Sequence, residues 1–208
     1  LRIAQGTVVG CNHALEHGIA FNIAGGTHHA FSDRGEAFCL LNDQAIAAQY
    51  LINQKKCYKI LIVDLDVHQG NGTAEIFQNN ADVITFSMHG QSNYPFRKET
   101  SDYDIALPDK TDDTTYLSIL QETLPELLNI HRPDFVFYLA GVDILGTDKL
   151  GKLGCTLEGC KTRDSYVLGL CKSLGIPVQV SMGGGYSPAI KTIIEAHANT
   201  YRVARALY

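Results

Sequence analysis

The segment VDLDVHQGNG sets out the chemistry this sequence can do. Asp64, Asp66 and His68 recur at every second position, so in an extended chain their side chains share one side. Two carboxylates gathered at the end of an apolar run are costly to bury unless cations, hydrogen-bond donors or a metal compensate them. Carboxylate oxygens combined with an imidazole nitrogen suit Zn²⁺, Fe²⁺ or Mn²⁺. A solvated loop with aspartate caps is the competing interpretation, because short motifs mislead. A catalytic metal needs a third protein ligand and an open position. Asp143, in GVD just after another apolar run, is the best-placed third ligand.

Two further segments could serve such a centre. His28 and His29 stand in tandem after Gly25 and Gly26. Imidazole titrates near neutral pH, which fits acid–base work. A single buried histidine is more often structural, but a tandem pair beside a metal is harder to dismiss. Asp64 then has a second open role, orienting one of these histidines instead of binding metal. Tyr186 follows Gly183, Gly184 and Gly185. The glycines read as a turn before a helix, and no lysine follows at phosphate-loop spacing. A tyrosine hydroxyl aimed at a developing oxyanion fits the other pieces better.

These residues need a frame that brings them together. Apolar runs over 20–24, 60–63, 83–86, 135–140 and 178–182 are rich in β-branched and aromatic residues and read as strands buried on both faces. Helical patterns over 43–54, 115–130 and 163–174 lie between them, and a last helix is expected from Ser187 as N-cap, with Ile190, Ile193, Ile194, His197 and Tyr201 on its apolar face. Alternating strands and helices predict an α/β fold with a mostly parallel sheet and helices on both faces. Ligands of such sheets bind beyond the carboxyl ends of the strands. The segments after the five runs are GGTHH, DLDVHQGNG, SMHG, GVDILGTD and GGGY, as expected for one site assembled at one sheet edge.

Composition narrows the classes. The chain has 208 residues, 17 basic and 22 acidic side chains, and 45% hydrophobic residues. This suits a single domain over 1–208, gives no basic footprint for nucleic acid, and contains no stretch long and apolar enough to span a bilayer. None of the six cysteines forms a C-x-x-C pair, so small buried hydrophobes in a reducing, cytoplasmic setting are expected rather than disulfides or a cysteine-ligated zinc.

Taken together, GGTHHA, FCLLND, VDLDVHQGNG, FSMHG, AGVDILGTDKLGKL and MGGGY resemble the zinc-dependent histone deacetylases of the arginase/deacetylase superfamily, and most closely its class IV and bacterial deacetylase-like members. The match runs from Leu15 to the C-terminus. It implies a three-layer fold, truncated at the N-terminus. A separate segment or chain would then complete the fold. It also implies Asp66, His68 and Asp143 as Zn²⁺ ligands, with His28 and His29 as a catalytic pair backed by Asp64 and Asn71. Tyr186 would bind the substrate carbonyl oxygen. Phe38, Tyr94, Leu150, Gly184 and Gly185 would line a tunnel for an acyl-lysine side chain. K⁺ would bind main-chain oxygens of Asp64, Asp66, His68 and Met88 with the side chains of Asp64 and Ser87. A second K⁺ site would involve Phe77, Asn80, Val83 and Tyr103. The implied reaction is hydrolysis of an acyl-lysine amide, on protein, peptide or small acylated amines.

Two departures stand out. Asn71 replaces an aspartate that some relatives place behind the second histidine, which should make His29 harder to protonate. Ala37 stands where many relatives have glycine, which could narrow the tunnel. The alternatives are a dinuclear manganese ureohydrolase, for which Asp148 would be an extra ligand, an acetylpolyamine amidohydrolase, and a non-enzymatic acyl-binding protein on the same fold.

Overall fold

The computed structural model describes residues 1–208. Its elements are helix α1 (Arg2–His17), strand β1 (Ile19–Asn22), α2 (Asp43–Asn53), β2 (Ile60–Asp64), α3 (Asn71–Phe77), β3 (Val83–Gly90), β4 (Tyr103–Leu107), α4 (Asp113–His131), β5 (Phe135–Leu139), α5 (Leu157–Leu174), β6 (Val178–Ser181) and α6 (Ile190–Leu207). The strands form one sheet in the order β1-β6-β5-β2-β3-β4, with every neighbouring pair parallel. Successive side chains of a strand point to opposite faces, and both faces here are apolar. Leu61, Val63, Val136 and Tyr138 join the larger core with residues of α4, α5 and α6. Ile60, Ile62, Phe135 and Phe137 join the smaller core with residues of α1, α2 and α3. The result is a three-layer α/β architecture.

The strand order fixes where the site must lie. From β2 the chain moves outward through β3 and β4. From β5 it moves outward in the other direction through β6. Neighbouring β2 and β5 therefore flank the point where the winding reverses, and the crevice beyond their carboxyl ends is the expected ligand position. The loop after β2 carries Asp66 and His68, and the loop after β5 carries Asp143.

The structure corrects several details of the sequence reading. The strand expected over 20–24 is Ile19–Asn22, an edge strand, and is only half-buried. Helices α1 and α3 and edge strand β4 were not expected. The last helix begins at Ile190 with Ala189 as N-cap, because the Ser187 hydroxyl bonds instead to Thr147 Oγ1 at 2.7 Å. Ile190 and Ile194 are exposed, and the buried face of α6 is formed by Ala196, His197, Thr200, Val203 and Ala204. All six cysteines are buried free thiols. No helix is long and apolar enough to cross a membrane.

Candidate metal centre

The chain leaves strand geometry at Asp64, so the alternating pattern of Asp64, Asp66 and His68 does not continue into the loop. Asp64 turns to His28, with Asp64 Oδ2 2.6 Å from His28 Nδ1. Asp66, His68 and Asp143 converge instead, and one ligand atom from each lies within 4.8 Å of the others. Asp66 and Asp143 are 2% and 0% exposed. His68 Nδ1 is 3.0 Å from Asp66 Oδ1 and 3.2 Å from Asp143 Oδ2. Even so, Asp143 Oδ2 makes no hydrogen bond of sound geometry and is a buried, unpartnered oxygen. A buried carboxylate oxygen without a donor is costly, and this one points into a group with two further metal-type ligand atoms. The donor set and this orphaned oxygen fit a divalent cation with one imidazole and two carboxylate ligands.

Each ligand is held by its surroundings. Asp66 Oδ2 accepts the Gly184 N–H at 2.9 Å, and Asp143 Oδ1 accepts the Val67 N–H at 2.9 Å. A Cβ on Gly184 would fall on Asp143 Oδ2, so glycine is needed there for close approach. Beneath both loops lies Arg163, with a fully buried side chain. Its Nη1 donates to Gly141 O at 2.6 Å and Leu65 O at 3.3 Å, and its charge is met by Asp164 at 2.8 Å. One guanidinium thus ties together the two backbone segments that present Asp66 and Asp143.

The histidines differ in their electrostatics. Burial opposes charge on His28, but the charge and hydrogen bond of Asp64 outweigh it and raise the pKa to about 9. For His29, burial and the neighbouring His28 charge lower the pKa to about 3. His29 Nδ1 lies 2.7 Å from Asn71 Oδ1. Burial also disfavours charge on His68, yet the carboxylates of Asp143 and Asp66 raise its pKa to about 10. Burial and the Asp66 charge raise Asp143 to about 7. Carboxylate charge crowded into the centre is thus the common cause of the raised His68 and Asp143 pKa values.

The histidine pair, Asp66, His68 and Asp143 lie in a cavity of about 510 Å³, whose wall includes Phe38, Tyr94, Phe96, Leu150 and Tyr186. Phe38 is 82% exposed, and its ring centroid is 6.1 Å from that of Tyr186, so the two rings mark the mouth. Ala37 also lines the cavity. Its φ of 48° lies in the left-handed region, which disfavours a Cβ. Gly183 and Gly184 line the cavity, whereas Gly185 faces Val142, Ile193 and His197. Burial, then the nearby Asp143 and Asp66, raise the Tyr186 pKa, which keeps its hydroxyl a donor. Asp148 is spent on backbone: its carboxylate accepts from Leu150 N, Gly151 N and Tyr186 N at 2.8, 2.8 and 2.5 Å, and it is not part of the metal-type group. Ser87 pairs with Asp64 across the β2–β3 register, and its hydroxyl lies 2.9 Å from His89 Nδ1.

Several supporting residues were given no role in the sequence reading, although Asn42 and Asp43 close its FCLLND segment. Asp43 holds the GGTHH segment by accepting from Thr27 N and Thr27 Oγ1 at 2.9 and 2.7 Å. Asn42 caps α2 and donates to Ala30 O and Thr73 Oγ1. Glu36 bonds to Asn71 and Tyr94. A second metal-type group, His13, Glu16 and His17, is exposed on α1.

Fold and site together define a three-layer α/β protein with an Asp–His–Asp centre at the carboxyl edge of its sheet. The chain belongs to the histone deacetylase domain family, whose match covers residues 1–201. It is 49% identical over its full length to an uncharacterized protein of Picosynechococcus and covers 69% of that protein. Histone deacetylase 2 of Arabidopsis thaliana is 31% identical over 91% of the chain, which spans 50% of that protein. For histone deacetylase RPD3 of Saccharomyces cerevisiae the identity is 33%, over 81% of this chain and 40% of the relative. Among solved structures, an acetylpolyamine aminohydrolase from Burkholderia pseudomallei superposes with a TM-score of 0.82 at 26% identity, over 98% of this chain and 61% of that one. The HD domain of HDA15 gives 0.82 at 27%, over 98% and 62%.

Proposed function

We propose that the chain is a zinc-dependent amidohydrolase that removes acyl groups from lysine side chains. The observation that carries this reading is the buried, unpartnered Asp143 Oδ2, within reach of Asp66 and His68, in a cavity with aromatic walls. Zn²⁺ held by Asp66, His68 and Asp143 would polarise the amide carbonyl and make a water acidic enough to lose a proton near neutral pH. Neutral His29 accepts that proton. His28, kept cationic by Asp64, adds positive charge beside the reacting carbonyl. The water oxygen bonds to the carbonyl carbon, and Tyr186 donates a hydrogen bond to the carbonyl oxygen as it becomes anionic. The carbon–nitrogen bond then breaks, the histidine pair returns a proton to the amine, and free lysine and a carboxylate leave. Phe38, Tyr94 and Leu150 enclose the methylene stem of the substrate. The same reading places K⁺ beside Asp64, Asp66, His68, Ser87 and Met88, supported by the Asp64–Ser87 register. Likeness to an acetylpolyamine aminohydrolase supports acylated small amines as the second substrate class.

The test is metal content of variants by elemental analysis, in a His13→Ala/His17→Ala background so that the exposed α1 group adds no ions. Asp66→Ala and His68→Ala should lose zinc together with acetyl-lysine peptide turnover. Full zinc retention in both would remove the assigned ligand set. Two ions per chain in the parent would favour a dinuclear centre.

A further inference from the structure

We propose that Glu36 is a positioning residue that locks His29 into one tautomer by fixing the orientation of the Asn71 amide. Resting on the amidohydrolase reading above, the proposal assigns a role to a residue that reading does not use. A side-chain amide is ambiguous, because one end accepts hydrogen bonds and the other donates them. Alone behind an imidazole, Asn71 could present either end, and His29 would follow with either tautomer. Asn71 Nδ2 donates to Glu36 Oε1 at 2.8 Å. An ionised carboxylate only accepts, so it selects the NH₂ end. The amide oxygen is thereby turned to His29 Nδ1, 2.7 Å away. An acceptor at that position requires the proton on Nδ1 and leaves Nε2 bare, the state a proton acceptor needs.

Glu36 is itself held in place. Tyr94 OH donates to Glu36 Oε1 at 2.5 Å, and Arg34 Nε lies 3.5 Å from Oε2. The Tyr94 hydrogen bond is the main reason the Glu36 carboxyl stays below its usual range, which keeps it an acceptor. The Tyr94 ring stands edge-on to His29, with centroids 5.1 Å apart. Three residues therefore supply what an aspartate at position 71 would supply alone: an acceptor that cannot turn the wrong way.

The direct test reads the tautomer, not turnover. Imidazole nitrogen NMR of ¹⁵N-histidine protein should show His29 as the Nδ1–H form in the parent. Glu36→Ala should give a mixture of both forms, and so should the isosteric Glu36→Gln, whose amide can present either end to Asn71. If turnover is measurable, Glu36→Ala should lower kcat about tenfold with KM and zinc content unchanged. In an Asn71→Asp background, where no amide needs orienting, the same substitution should cost nothing. An unchanged His29 tautomer in Glu36→Ala would overturn the proposal, as would an equal loss of kcat in both backgrounds. A chain without turnover would count against the amidohydrolase reading while leaving the tautomer measurement decisive for Glu36.

Discussion

The assigned roles separate cleanly at the residue scale, because they predict different losses. In the proposed reaction Tyr186 contributes a hydroxyl to the oxyanion and nothing to metal binding. Tyr186→Phe should therefore retain zinc by elemental analysis while kcat falls about 10²–10³-fold. Turnover close to the parent in a zinc-replete variant would remove Tyr186 from the chemistry. The residues of this centre were legible in the sequence because their chemistry lies in residue type and spacing. Asp66, His68 and Asp143, with His28, His29 and Tyr186, all sit in segments that follow apolar runs. What the spacing left open was the direction of Asp64. The chain leaves strand geometry at that residue, so Asp64 meets His28 instead of continuing the alternation to Asp66. Glu36 was invisible for a different reason. Its partners Asn71 and Tyr94 are distant in sequence, and no local pattern marks a contact made only in the folded chain.

Among the elements, α5 matters more to the site than its helical pattern suggested. Arg163 is buried at full charge under the two ligand loops. Removing it strands Asp164, which also accepts from Tyr138 OH and Thr200 Oγ1. Arg163→Met should cost about 3–5 kcal/mol in urea unfolding, and the Arg163→Met/Asp164→Leu pair should cost less than the single change. On α6, His197 faces Phe21, Val180, Met182 and Tyr201. Burial, then the Arg163 charge, lowers its pKa to about 4. The unfolded chain, with an ordinary histidine near 6.5, binds the proton first. Stability should therefore be unaffected by this group above about pH 6.5 and should fall as pH drops from there toward 4. His197→Met should flatten that part of the stability–pH curve, and an unchanged slope would show that His197 does not carry it. Two of the missed elements, α1 and β4, were hidden for different physical reasons. Helix α1 contains Gly6 and Gly10, poor helix formers, but Gly6 lies against Asn22 and Gly10 against Ala20 and Gln179. Close packing on β1 and β6 there outweighs propensity. Strand β4 is a partly exposed edge of five residues, and with Asp104 and Ala106 facing outward it offers only three larger apolar positions to mark it.

For the molecule as a whole, strand order turns separate sequence segments into one site. Reversal of the winding between β2 and β5 brings Asp66 and His68 beside Asp143, 75 or more positions apart in sequence. The helices pack against both faces of the sheet beneath that edge. A metal bound only by the folded chain must also stabilise it, by about 2.7 kcal/mol at a free concentration a hundredfold above Kd. On the proposed reading, catalysis and stability are coupled through one ion. The most direct measurement follows turnover of an acetyl-lysine peptide and the thermal midpoint together, on this chain carrying His13→Ala/His17→Ala, before chelation, after it, and after Zn²⁺ is restored. The account predicts that chelation abolishes turnover and lowers the midpoint, that zinc restores both, and that neither response occurs in Asp143→Ala. Turnover that persists after the bound metal has been removed would contradict it.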